Sequence, residues 1–317
     1  MRYQDKPVIS IVGPTASGKS DLAQLVAARL GSEVVSADSM QIYRGMDIGT
    51  AKLPVDERLV KHHLIDVVDP GEAYSAQRFQ KAARQVFDDL YAQDKVSVLC
   101  GGTGFYVQAA LDHMDFPKGE QTDNPLRDRW QSFADEQGAD ALWAELKKRD
   151  KRSAAVVHPN NVRRVIRALE MYELGVSYAD QVERLKTIPA EVASVRFGLQ
   201  VDREVLNERI NKRVDLMFEQ GLVDEVKGLM SLGFTAALTA PQAIGYKEIV
   251  RALAGECSLE QACEDIKMAT RRYAKRQRSW FRRDKKIIWL EATHASSDEL
   301  VSHVLSAYET RNAHSND

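Results

Sequence analysis

The chain has 317 residues, 44% apolar and 28% charged, a composition that excludes wholesale disorder or a fibre and leaves room for one large α/β body with a smaller insertion. Its formal net charge is −2, from 44 Lys plus Arg against 46 Asp plus Glu, so the chain as a whole is no general polyanion binder. The opening Met1-Arg-Tyr-Gln-Asp-Lys-Pro7 lacks the apolar core of a signal peptide, and no stretch has bilayer-spanning length. The three cysteines, Cys100, Cys257 and Cys263, fit neither a disulfide framework nor a zinc site, so a cytoplasmic protein with no membrane partner and free thiols is expected.

The first apolar run, Val8 to Val12, is followed by Gly13, Pro14, Thr15, Ala16, Ser17, Gly18, Lys19 and Ser20, and then by a helical pattern from Asp21 to Leu30. This is the G-x-x-x-x-G-K-[ST] phosphate loop in its strand–loop–helix setting, where glycines let the backbone wrap an anion and converging N–H groups offset its charge. Lys19 is expected to reach the terminal phosphate and Ser20 to ligate Mg²⁺. The loop recognises phosphate oxygens and no base. ATP and other diphosphates or triphosphates therefore all fit, and a kinase or nucleotide hydrolase stays open at this point.

A second run, Glu33 to Ala37, leads into Asp38, Ser39, Met40 and Gln41. A residue just past the end of a strand beside the phosphate loop faces the ligand crevice, which suits Asp38 and Gln41, although Asp38 also reads as a helix cap. The third run, His63 to Val68, contains Asp66, which is either a metal-binding carboxylate or a polar residue at a strand end. The fourth, Val96 to Cys100, precedes Gly101-Gly-Thr103-Gly-Phe105-Tyr106; its glycines permit close approach of a nucleotide, and its aromatics line a channel or fill the core.

Strand signals then stop. From about residue 116 to 193 the sequence is charged and helix-rich, beginning with a polar stretch from Phe116 to Pro125 that reads as a linker or mobile loop. His158 has no partner spacing for a metal and reads as structural. The strand pattern returns at Val195 to Val201, before an amphipathic helix over Glu204 to Met217 that places Arg209 and Arg213 one turn apart. Asn211-Lys-Arg-Val-Asp215 misses the N-K-x-D base reader of GTPases by one position. From Arg271 to Lys286 nine basic residues face one acidic residue, with Trp280 and Phe281 among them, a candidate nucleic-acid surface or else a solvated basic helix. Ile287 to Leu290 is the last strand signal, and Arg311 to Asp317 reads as a frayed tail.

Short Val/Ile runs separated by helical patterns give an α/β fold: a P-loop NTPase-like, doubly wound parallel sheet formed by residues 1–115 and 194–317, with a helical insertion subdomain over 116–193.

Several separated motifs together resemble the tRNA dimethylallyltransferase, or isopentenyltransferase, family of bacterial type. They are the phosphate loop, Ser36-Ala-Asp-Ser-Met-Gln-Ile-Tyr43, Asp47-Ile-Gly-Thr-Ala-Lys52, Gly101-Gly-Thr-Gly-Phe-Tyr106, His158-Pro-Asn160, Arg167-Ala-Leu-Glu170, Gln242-Ala-Ile-Gly-Tyr-Lys247 and Lys275-Arg-Gln277. The resemblance implies transfer of a dimethylallyl group from dimethylallyl diphosphate to N6 of adenosine-37 in tRNAs reading U-initial codons, by a monomer meeting one anticodon stem-loop. It places the diphosphate site on Thr15 to Ser20 and the general base on Asp38. Contacts to tRNA fall on Asp38, Ser39, Met40 and Gln41; on Asn160, Asn161, Val162, Arg163 and Arg164; on Gln242, Ala243, Ile244, Gly245, Tyr246 and Lys247; and on Lys275, Arg276, Gln277, Arg278, Ser279, Trp280, Phe281 and Arg282, with Thr103 beside the target base. One segment departs from the family pattern, Asn160-Asn-Val-Arg-Arg164 standing for Asn-Asp-Pro-x-Arg. The chemistry asks for a carboxylate to take the proton of a poorly nucleophilic amine, and for Lys19, Mg²⁺ and an arginine, Arg213 in preference to Arg209, to meet charge on the leaving diphosphate.

Overall fold

The computed structural model describes residues 2–116, 124–185, 187–236 and 239–313. Among these, β1 (Val8–Val12), β2 (Val34–Ser36), β3 (His62–His63), β4 (Val98–Gly101), β5 (Ser194–Gln200) and β6 (Ile287–Glu291) form one parallel sheet in the order β3-β2-β4-β1-β5-β6. Alternation along the strands separates two cores. Val8, Val12, Val35 and Leu99 pack with Phe79 and Phe87 on one face, and Ile9, Ile11, Val98 and Phe197 pack with Val26 and Ile210 on the other. The first helices of this body are α1 (Lys19–Arg29), α2 (Ala76–Ala92) and α3 (Gly104–Leu111). Register puts Val12 level with Gly101, and Ser36 level with Cys100. The turns leaving β1, β2 and β4 therefore open at the same end of the sheet, which is where ligands bind in such folds.

Two compact units emerge, residues 1–111 with 190–317, and residues 112–189. The sheet unit thus takes residues 190–193 into itself, because Glu191 N–H donates to Leu111 O and Ala193 N–H to Arg2 O, bonds that precede β5. The second unit holds α4 (Pro125–Gln137), α5 (Ala139–Arg149), α6 (Lys151–Val156), α7 (Val162–Glu173) and α8 (Tyr178–Arg184) around Trp130, Leu142, Leu146, Val165 and Leu169. Its buried Glu170 carboxylate is held by Arg127 (2.6 Å) and Arg167 (3.0 Å), so the Arg167-Ala-Leu-Glu170 motif serves the frame of this unit. The sheet unit continues with α9 (Arg203–Glu219), α10 (Leu222–Ser231), α11 (Tyr246–Leu253), α12 (Leu259–Phe281) and α13 (Ser297–Ala313).

Two expectations change. The run His63 to Val68 yields only the two-residue β3, because Leu64 and Asp66 take left-handed φ values of 60° and 57° that no strand accommodates. Arg311 to Ala313 continue α13, while 314–317 and the linker residues 117–123 lie outside the described residues.

Candidate active site

The phosphate loop turns through two left-handed residues, Ala16 (φ 62°) and Gly18 (φ 86°), before Lys19 opens α1. Such a turn converges successive N–H groups on one point. Lys19 Nζ donates to Pro14 O at 3.3 Å, its one side-chain hydrogen bond among the described residues, and burial pushes its ammonium below the usual value, with Cys100 and Asp38 pulling the other way and Arg213 repelling it. Beneath it Cys100 Sγ lies 3.5 Å from Lys19 O, and burial raises that thiol to about 11, which keeps it protonated at neutral pH.

The next two turns are stitched to each other. Asp38 Oδ1 accepts Met40 N–H at 2.9 Å, Ser39 N–H donates to Thr103 Oγ1 at 3.0 Å, and Thr103 N–H donates to Ala37 O at 3.2 Å. A Cβ on Gly101 would run into the Ala37 carbonyl, so only glycine lets the turns approach this closely. Gln41 accepts the Ser36 hydroxyl (3.2 Å) and donates to Thr50 O (3.2 Å), which ties β2 to the following loop. The α12 residue Tyr273, absent from the sequence prediction, borders Asp38 and Thr103; burial, and then the Asp38 carboxylate, raise its phenol to about 12.

These elements line a cavity of about 610 Å³. Lys19, Ser20, Asp38 and Arg213 stand on its walls together with apolar Ile48, Leu53, Ile65, Leu216 and Met217. Arg209 instead turns away and donates to Thr293 O (3.2 Å), whereas Arg213 has no ion pair or hydrogen bond among the described residues, and burial lowers its pKa. Asp66 is engaged by Lys52, a side chain only 3% exposed that also holds Asp47 (2.7 Å) and Tyr43 O (2.6 Å). Glu225 of α10 supports the same wall: its carboxylate accepts the N–H groups of Asp47 (2.9 Å), Ile48 (2.7 Å) and Gly49 (3.1 Å) and the Tyr246 hydroxyl (2.6 Å). No group of three or more metal-ligating side chains occurs among the described residues. Exposed Ser20 in the cavity nevertheless suits Mg²⁺, which takes one or two protein ligands and fills its shell with phosphate oxygens and water.

The IPP transferase family profile matches residues 41–284, and an isopentenyl transferase profile matches residues 6–69. A tRNA dimethylallyltransferase of Thermobifida fusca is 47% identical over 291 residues, 89% of each chain. This chain belongs to the tRNA dimethylallyltransferase family. Among solved structures, the tRNA isopentenylpyrophosphate transferase of Bacillus halodurans shares 39% identity over 98% of both chains with a TM-score of 0.73. A eukaryotic dimethylallyltransferase acting on tRNA shares 30% identity over 98% of this chain and 77% of that one, with a TM-score of 0.75.

The segments that family resemblance assigns to tRNA divide by exposure. Asn160, Asn161, Arg163 and Arg164 are exposed at the start of α7, where Asn161 Oδ1 accepts Arg164 N–H (3.3 Å) and His158 Nδ1 accepts Asn160 N–H (3.2 Å), so His158 and Asn161 shape the turn. Val162, partly buried, packs against the core of the insertion. Gln242 and Lys247 are exposed, Ile244 is half-buried, and Ala243, Gly245 and Tyr246 are buried, with Gly245 at φ 98°. On α12, Lys275, Arg276, Ser279, Trp280 and Arg282 are exposed and Arg278 half-buried, whereas Gln277 and Phe281 are buried. The side chains of Tyr246, Gln277 and Phe281 are thus turned into the protein. Tyr106 likewise belongs to the core, stacked on Phe79 at 4.1 Å.

Proposed function

We propose that the chain transfers the dimethylallyl group of dimethylallyl diphosphate to N6 of adenosine-37, beside the anticodon of tRNAs reading U-initial codons, with release of diphosphate. The observation that carries this is a single cavity where two cations with no ion pair among the described residues, Lys19 and Arg213, share space with the Asp38 carboxylate and an apolar wall. A charged head and a short hydrocarbon tail fit that division of chemistry, and the membership of the family supplies the acceptor.

As the bond from N6 to the allylic carbon forms, the bond from that carbon to the diphosphate oxygen breaks. Asp38 takes the proton of the amine: Met40 N–H fixes Oδ1, and Oδ2 has no hydrogen bond from the described residues. Negative charge developing on the diphosphate is met by the N–H groups of the loop, by Lys19 and by Arg213, whose burial strengthens each interaction. Mg²⁺ bound beside Ser20 would supply further neutralisation of that charge. The target base must leave its stack to enter the cavity, and the family resemblance puts Thr103 beside it. The exposed basic residues of α12 and the α7 start provide phosphate contacts to the anticodon stem-loop. This reading puts the protein in the cytoplasm, as a monomer on its tRNA.

Purified protein with Mg²⁺, dimethylallyl diphosphate and unmodified tRNA should yield N6-prenyladenosine, detected by mass analysis of nucleosides. Lys19→Ala should lower transfer roughly ten- to a hundredfold, the loss of one charged hydrogen bond of about 1.5–3 kcal/mol. Absence of product with several tRNAs that read U-initial codons, alongside ADP formation from ATP, would replace this reading by a kinase.

A further inference from the structure

Helix α12 carries a basic outer face, yet one of its polar residues points inward. Gln277 is 5% exposed; its Oε1 accepts the N–H of Thr15 in the phosphate loop at 2.9 Å, and its Nε2 donates to Gly102 O at 2.9 Å. A Cβ on Gly102 would collide with that amide nitrogen, so the turn after β4 is shaped to seat it. The residue after Thr15 is Ala16, held at φ 62° without the freedom of glycine. A non-glycine residue persists in that region only when its surroundings fix it.

We propose that Gln277 is a positioning residue for the phosphate loop: by holding the Thr15 N–H and the Gly102 carbonyl in one frame it keeps the Ala16 turn in the form that receives the diphosphate. The role in transfer rests on the function proposed above; the effect on anion binding does not. Lys275 and Arg276, which precede it in the same helical turn, remain exposed.

Gln277→Met keeps the length and removes both hydrogen bonds. Inorganic diphosphate, titrated by calorimetry into the full-length variant without RNA, should bind about five- to twentyfold more weakly than to the parent, the range expected for two lost neutral hydrogen bonds acting on one loop. In the transfer assay KM for dimethylallyl diphosphate should rise by a similar factor, with kcat within about threefold and tRNA affinity within about twofold. Gly102→Ala, which displaces the amide without altering Gln277, should give the same pattern even if Gln277→Met folds poorly, and the double variant should lose no more than the worse single one. Unchanged diphosphate affinity in either folded variant, additive losses, or a fall in tRNA affinity with diphosphate binding intact would each overturn the assignment. A parent protein that binds diphosphate but transfers nothing would defeat the proposed function and leave the Gln277 test standing.

Discussion

Replacing Glu225 by Gln perturbs the cavity wall from outside the cavity. The carboxylate accepts four hydrogens, two on Oε2 from Asp47 and Ile48 and two on Oε1 from Gly49 and Tyr246. An amide in its place does best with its N–H₂ toward Gly49 and Tyr246, where the phenol can rotate to accept; the Gly49 bond, a charge-assisted one of about 1.5–3 kcal/mol, is then lost and the other three lose their charge. The side chain is half-buried and the bonds share one carboxylate, so the losses are not additive, and about 3 kcal/mol is the expected net cost. For a chain of this size that is roughly a 5–10 °C fall in the unfolding midpoint. Because Ile48 lines the cavity and Gln41 hangs on Thr50 O, KM for dimethylallyl diphosphate should rise several-fold as well. Tyr246→Phe removes a single bond and should cost about half as much. Thermal unfolding by circular dichroism and steady-state kinetics on both variants and their combination decide the matter. A Glu225→Gln protein whose midpoint stays within about 1 °C of the parent would show that the 47–49 turn does not depend on this carboxylate.

Asp38→Asn keeps the acceptor for Met40 N–H and removes the base, so turnover should fall by about 10²–10⁴ with tRNA affinity little changed, measured by single-turnover transfer and filter binding; near-normal turnover would remove Asp38 from proton transfer. Replacing Arg276, Arg278 and Arg282 together by Ala should flatten the salt dependence of tRNA binding by about 2 in the slope of log K against log salt, and an unchanged slope would mark α12 as a solvated face. Burial, with Arg58 and His63 adding to it, lowers His62 from 6.5 to about 4. The unfolded chain therefore takes up that proton near pH 6.5 and the native protein only near 4, so this contribution is complete above about pH 6.5 and is lost as pH falls to 4, by at most about 3 kcal/mol. His62→Gln should flatten the acid limb of the midpoint-against-pH curve, and an unaltered limb would refute the assignment.

The phosphate loop was legible because its pattern is local: eight consecutive residues between a strand and a helix carry its glycines, its lysine and its serine. The parallel sheet was legible because buried strands are written as Val/Ile runs, but the run from His63 to Val68 misled, since the force that bends it is remote in sequence. Lys52 draws Asp66 out of line toward Asp47 and the Tyr43 carbonyl, and no pattern of apolar residues encodes that. Glu225 and Tyr273 were invisible for the same reason, the partners of Glu225 in the 47–49 turn lying 176 to 178 residues away. The choice of Arg213 over Arg209 follows from one helical turn of rotation, which amphipathic periodicity narrows without selecting. Gln277 is the instructive case. Its motif drew it toward RNA, yet Tyr273, Gln277 and Phe281 recur every four residues on the face of α12 that packs inward, and Phe281 is core. A polar side chain on an inward stripe must be satisfied by the protein itself, because an unpartnered amide buried there costs more than any surface contact returns. Its position on the helix, rather than the motif, therefore gives the side chain its partners in the phosphate loop and the turn after β4.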